Sequence, residues 1–164
     1  MAWVIDLPEM GKSVYLAGAI EYAPDGGCSW RIAMSQFLKQ KLGLYVFDPS
    51  SRERQLLTEN EKKNFRTWKS TDRLSFLPVI HRIIDNDLEQ LTQKTLFVIV
   101  LWDKYCTQGT GTAGELTMAY HYKIPVYMVL DIPKESTSSW ALGCATEVFE
   151  SFKDLERFLI NKYQ

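Results

Sequence analysis

The sequence predicts an α/β protein: a single domain built on a doubly wound, mostly parallel sheet of five strands with helices on both faces. Three observations carry that prediction. Apolar, β-rich runs alternate with amphipathic helical patterns along the chain, as parallel strands joined by crossover helices require. The run "TLFVIVLW", Thr95 to Trp102, is apolar almost throughout, as expected of a central strand covered on both faces. At 164 residues the chain can bury a sizeable core and is short for two domains, so residues 1–164 read as one unit.

The elements follow in order. "SVYLAGAI", Ser13 to Ile20, is a β-rich run ending in small residues. The Gly-rich loop "APDGG" leads into a helical pattern, "WRIAMSQFLKQKLG", that closes at Gly43. "LYVFDPS" is a short second strand terminated by Pro49, which offers no donor to a ladder. From Ser50 to Lys69 the chain is polar and weakly periodic and reads as a surface helix plus a loop. A clearer helix starts at Pro78, with Ile80, Ile84, Asp87, Leu88 and Leu91 on one face. After the apolar strand a helix begins near Thr112, "IPVYMVLDI" supplies another strand, and "SFKDLERFLINKY" is an amphipathic terminal helix.

Composition excludes several classes. Charged residues are 24% and hydrophobic ones 46%, values of a globular protein, and 19 Lys+Arg against 20 Asp+Glu leave no basic field to hold a nucleic acid polymer. Three cysteines without a C-x-x-C spacing suggest neither a disulfide framework nor a zinc site and fit a reducing cytoplasm. The N-terminus "MAWVIDLPEMGKSV" has no basic segment followed by a long apolar one, and the most apolar run is too short to span a bilayer. A soluble protein with no membrane partner is expected.

The stretch "GTGTAGEL", Gly109 to Leu116, admits three readings. Gly109, Gly111 and Gly114 fit the dinucleotide pattern G-x-G-x-x-G, but "DKYCTQ" separates them from the strand they should follow directly. Gly109 and Gly114 also frame a P-loop, yet Glu115-Leu116 stands where Lys-Ser/Thr must meet phosphate. The third reading makes Glu115 the working residue. Thr112-Ala113-Gly114-Glu115 satisfies a capping box, in which Glu115 merely returns to the helix N-cap. Alternatively, Glu115 opens a helix at the carboxyl edge of the sheet, where open α/β folds place ligands, and the helix dipole holds it ionised as a nucleophile.

A second carboxylate, Asp87, lies on the apolar stripe of its helix while Asp85 takes the wetter face. Partial burial should raise the pKa of Asp87. One charged acid and one able to carry a proton are the equipment for cleaving a glycosidic bond.

With Tyr15-Leu16-Ala17-Gly18, Asp85-Asn86-Asp87-Leu88 and Gly111-Thr112-x-x-Glu115-Leu116-x-x-Ala119 in that order, the chain resembles the nucleoside 2-deoxyribosyltransferase family. The resemblance implies a flavodoxin-like or Rossmann-like fold, no cofactor and no metal. Members transfer a 2-deoxyribosyl group between nucleobases or, in a related branch, hydrolyse deoxynucleoside monophosphates. Carried over, Glu115 attacks C1′ to form a covalent glycosyl-enzyme, Asp87 protonates the leaving base, and Tyr15 positions the nucleophile through a hydrogen bond. Gly18, Gly111 and Thr112 would line the substrate. Asp103 is the candidate for the acidic residue that precedes the nucleophile, although the loop to Glu115 is longer than the pattern. Ser136 falls where the family borrows an asparagine from a neighbouring subunit, which implies a homo-oligomer.

The partners implied are a nucleoside and a free nucleobase. Trp30, Trp102 and Trp140 each offer a flat face to a base. Where the monophosphate hydrolases carry Ser and Arg, this chain has Ala19, Ile20 and Glu21, and the acidic Glu21 would oppose a phosphate. Hydrolysis of (deoxy)nucleoside 5′-monophosphates is the close alternative. A non-catalytic nucleotide-binding module, with Glu115 as a cap only, is the alternative of another class.

Overall fold

The computed structural model describes residues 11–164, so most of the N-terminal stretch in which no leader was read lies outside the described residues. Five parallel strands form one sheet: β1 (Ser13–Gly18), β2 (Val46–Phe47), β3 (Thr95–Trp102), β4 (Val126–Leu130) and β5 (Glu147–Phe149), in the spatial order β2-β1-β3-β4-β5. That order is the flavodoxin-like arrangement, whose topological switch point lies between β1 and β3. The helices are α1 (Cys28–Leu42), α2 (Pro49–Leu56), α3 (Glu59–Thr71), α4 (Arg73–Lys94), α5 (Gly111–His121), α6 (Ser139–Cys144) and α7 (Phe152–Tyr163).

Two apolar layers sandwich the sheet. One face packs Tyr15, Val98, Val100 and Trp102 with Leu91 of α4 and Leu116 and Ala119 of α5. The other packs Leu16, Phe97, Ile99 and Tyr127 with Met34 and Leu38 of α1 and Leu155 and Leu159 of α7. Alternate residues of β3 therefore serve opposite layers, and nearly every side chain of "TLFVIVLW" is buried, which sets it as the central strand. Among the described residues no helix is long and apolar enough to cross a membrane.

Several boundaries differ from the sequence reading, each for a local reason. β1 stops at Gly18 rather than Ile20, because Gly18 at φ 152° turns the chain out of the ladder. β2 keeps only Val46 and Phe47. Pro49 does not merely end a strand: it opens α2, with the Asp48 side chain accepting from the Ser50 and Ser51 amides as the N-cap. The polar stretch Ser50 to Lys69 holds two helices rather than a helix and a loop, and a capping box between Thr58 and Glu61 starts the second.

The following helix begins at Arg73, not Pro78, with Asp72 as its cap and the proline inside it. Its apolar stripe also differs from the expected one. The first half buries Val79 and Ile83 against Phe65 of α3, the second half turns Leu88 and Leu91 to the sheet, and Ile84 is left 45% exposed. A helix serving two partners in succession does not keep one stripe. The sequence located four of the five strands it predicts; the fifth, β5, lies in "EVF", too short to stand out.

Candidate active site

The site grows from the switch point. Tyr15, third residue of β1, is fully buried and lies in register with Val98 of β3. Its ring stacks on Phe47 at 5.2 Å, and its hydroxyl donates to Glu115 Oε1 at 2.8 Å. Burial raises the Tyr15 pKa well above its ordinary value, helped by the charges of Glu115 and Asp87, so the phenol keeps its proton and is the donor.

Glu115 does not cap its helix. α5 starts at Gly111 after Thr110, no side chain caps it, and its first turn holds no acid, so Glu115 stands in the second turn and points to β1. The capping-box reading of Thr112 to Glu115 is thereby overturned. The expectation that the helix dipole keeps this carboxylate ionised also fails. Burial pushes Glu115 up to about 7, with the charge of Asp87 adding to the effect, against which the Tyr15 hydrogen bond and the Arg31 charge pull down. Dipole stabilisation fades beyond the first turn, whereas desolvation still acts on this part-buried group.

Asp87 comes from α4 and is part-buried, while Asp85 is exposed, as the sequence suggested. Burial raises it to about 6. Asn86 Nδ2 donates to its Oδ1 at 3.1 Å and opposes that rise, while the neighbouring Glu53 charge adds to it. The structure thus gathers Tyr15, Asp87 and Glu115 from β1, α4 and α5 into one electrostatically coupled cluster. Two coupled acids give up their protons in two steps that belong to the pair.

The other candidates scatter. The Gly18 carbonyl accepts from Arg31 Nη2 at 2.9 Å, and a Cβ there would press Trp30 at 3.2 Å. Gly111 is exposed at the start of α5, and Thr112 is buried beside Cys106. Asp103 is occupied by the turn after β3, accepting from the Tyr105 and Cys106 amides at 2.9 and 3.1 Å. Ser136 sits exposed in a single 3-10 turn, Lys134–Ser136, and bonds to none of the three central residues.

Of the three tryptophans, Trp102 is buried, with no partner for its indole N–H. Trp30 is stacked on Phe152 at 5.7 Å, and Trp140 is exposed, donating to Thr117 at 2.8 Å. No group of three or more His, Cys, Asp or Glu among the described residues is arranged to hold a metal ion.

The chain matches no protein-family model and no curated protein. Its chemistry must therefore be argued from its own residues. One buried charge was passed over in the sequence: Arg31 of α1, fully buried. Its signal was available, because Arg31, Met34 and Leu38 form the buried stripe of α1 and a cation on an apolar stripe needs partners.

Glu21 was expected to repel a phosphate. Instead Arg66 binds it at 3.0 Å and Lys69 pairs with it as well, so its charge is neutralised. Arg66 also holds Glu53 at 2.9 Å, tying the loop after β1 to α2 and α3.

Proposed function

We propose that the protein cleaves the N-glycosidic bond of 2′-deoxynucleosides and transfers the sugar to another nucleobase through a covalent intermediate on Glu115. The observation that carries this reading is the Tyr15–Glu115 hydrogen bond of 2.8 Å beside a second raised carboxyl, Asp87, at the switch point of the sheet. A lone part-buried glutamate would serve packing poorly; one that accepts from a buried phenol beside a second raised carboxyl is equipped for acid–base work.

The steps balance as follows. A base nitrogen accepting a hydrogen bond from Asp87 draws a proton to Asp87 and leaves Glu115 ionised. A Glu115 carboxylate oxygen bonds to C1′, the C1′–N bond breaks, and the departing base takes the proton of Asp87. The transition state carries positive charge on the sugar, which the carboxylate stabilises before bonding. A second base then attacks C1′, surrenders its N–H proton to Asp87, and the C1′–O bond to Glu115 breaks. Tyr15 holds the nucleophile in place throughout. The reading assumes a cytoplasmic enzyme and a homo-oligomer in which a neighbouring chain completes the substrate pocket.

The test is product analysis. A deoxynucleoside incubated with a different free base should yield the exchanged nucleoside; free deoxyribose at the same rate with and without that base, and no exchange, would reject transfer.

Neutralisation of Glu21 by Arg66 and Lys69 supports a second reading, hydrolysis of (deoxy)nucleoside 5′-monophosphates, by removing the charge that would repel phosphate. Water would replace the second base, giving its proton to Asp87. Release of base from a monophosphate but not from the free nucleoside would favour this outcome.

A further inference from the structure

The outer edge of the sheet holds a cavity that the glycosyl-transfer chemistry above does not use. β2 is the edge strand and only two residues long, so beside it the space between α2 and α4 is not filled by sheet. The cavity there has a volume of about 400 Å³ and is lined by Phe47 of β2, Arg52 of α2, and Asn86, Glu89, Gln90 and Lys94 of α4. That volume is in the range of small-molecule pockets. Tyr15, Asp87 and Glu115 do not line it, yet it borders them on two sides: the Phe47 ring stacks on Tyr15, and Asn86 Nδ2 donates to Asp87.

Its polar walls hold one another in place. Arg52 donates from Nε to Asn86 Oδ1 and from Nη1 to Gln55 Oε1, both at 3.3 Å, so neutral amide oxygens fix the guanidinium. Among the described residues Arg52 has no ion-pair partner, whereas Arg31, Arg66, Arg82 and Arg157 each have one. Gln90 is fixed as well, its amide donating to Ser13 Oγ at 2.8 Å. The second cation, Lys94, lies two turns along α4 from Asn86 and has Glu89 as a partner at 3.6 Å. One end of the cavity therefore offers an unneutralised guanidinium beside the Phe47 ring, and the other offers donors and acceptors whose charges offset. A guanidinium held in this way is suited to bidentate binding of a carboxylate or phosphate, and its fixed position lowers the ordering cost of doing so. We propose that this cavity is a ligand site for a small aromatic acid, with the carboxylate or phosphate on Arg52, the ring against Phe47, and any polar substituent turned toward Gln90, Glu89 and Lys94. The site is independent of the glycosyl-transfer reading, because neither the candidate nucleophile nor the candidate acid takes part in it.

The experiment titrates benzoate, phenyl phosphate and inorganic phosphate into the 15N-labelled full chain and follows the side-chain amide signals of Asn86 and Gln90. Benzoate or phenyl phosphate should shift them saturably, with a Kd on the order of 1 mM, and the tighter of the two identifies the acid group. Inorganic phosphate, which has no ring, should bind more weakly than phenyl phosphate. Arg52→Gln, a change at an exposed side chain, should weaken binding by about tenfold or more. Glu89→Gln removes the carboxylate from the lining and should tighten it. Glu115→Gln, outside the cavity, should leave the titration unchanged. The proposal is overturned if no saturable shift is seen, if Arg52→Gln binds as the unmodified protein does, or if inorganic phosphate binds as tightly as phenyl phosphate. Binding that vanishes in Glu115→Gln would also overturn it, by placing the acid at the catalytic pair. Failure of deoxynucleoside turnover would reject the glycosyl-transfer reading and leave these titrations to decide the cavity.

Discussion

Tyr15 and Glu115, separated by 100 positions in the chain, meet at 2.8 Å, phenol to carboxylate, on the buried face of the sheet. The bond joins β1 to α5 across the switch point, so folding itself assembles the candidate nucleophile and its donor. Each can be tested alone.

Glu115→Gln retains an acceptor for the Tyr15 hydroxyl and removes a carboxyl raised by burial. Glycosidic cleavage should fall roughly a thousandfold or more, since an amide cannot take up C1′, while the melting temperature at neutral pH should stay level or rise. Chromatographic detection of released base, beside a thermal melt, checks both. Undiminished turnover in this variant would leave Glu115 without a catalytic role and favour a module that only binds nucleotides.

Tyr15→Phe keeps the ring that stacks on Phe47 and deletes the donor. The lost hydrogen bond lowered the pKa of Glu115, so the acid limb of the rate profile should move to higher pH. The stability cost should be about 1 kcal/mol, the net worth of one hydrogen bond. A profile that superimposes on that of the unmodified protein would show that the phenol does not tune the carboxyl.

The raised carboxyls make stability depend on pH in a defined direction. Glu115 moves from an ordinary 4.5 to about 7 and Asp87 from 3.8 to about 6, so the folded state holds these protons more tightly than the unfolded one. Their stabilising contribution is complete below about pH 4 and is lost as pH rises through 6 and 7. The double variant Glu115→Gln, Asp87→Asn should lack that decline, and the difference in unfolding free energy from the unmodified protein should grow by on the order of a few kcal/mol between pH 4 and pH 8. Denaturant titrations at both pH values measure it.

Gly27→Ala should destabilise by roughly 2 kcal/mol or more, combining a positive φ with a Cβ driven into Arg31 Nη1 and the Ala19 carbonyl oxygen. Gly43→Ala shares the positive φ at 64° but meets no atom within 4 Å, and should cost about 1 kcal/mol. Comparing the two melts separates backbone strain from the collision with the guanidinium.

Periodicity made most of the fold legible. "TLFVIVLW" announced the central strand because burial on both faces leaves almost no polar position, and "SFKDLERFLINKY" announced α7 because it packs into one apolar layer, which imposes one stripe. The boundaries around Asp48 to Asp72 were less visible, because there the chain is shaped by caps and ion pairs, in which the same polar residue types serve loops and helices alike. In the site, Asp87 could be placed from its stripe. The bond from Tyr15 to Glu115 could be suggested only by the family resemblance, since a contact over 100 positions has no local pattern. Thr112-x-x-Glu115 gave a false local signal: the helix starts two residues earlier than that motif needs, which turns Glu115 toward the sheet.

The fastening of α3 beside the site has mixed chemistry, and that sets how the solvent acts on it. Arg66 and Lys69 hold the Glu21 loop by charges that are part exposed, whereas Phe65, Val79 and Ile83 join α3 to α4 through apolar surface. Sodium chloride screens the first attachment and leaves the second nearly untouched; ammonium sulfate strengthens the second while screening the first. The identity of the salt, and not its concentration alone, thus becomes a handle for loosening the β1 loop separately from the helical hairpin that flanks it.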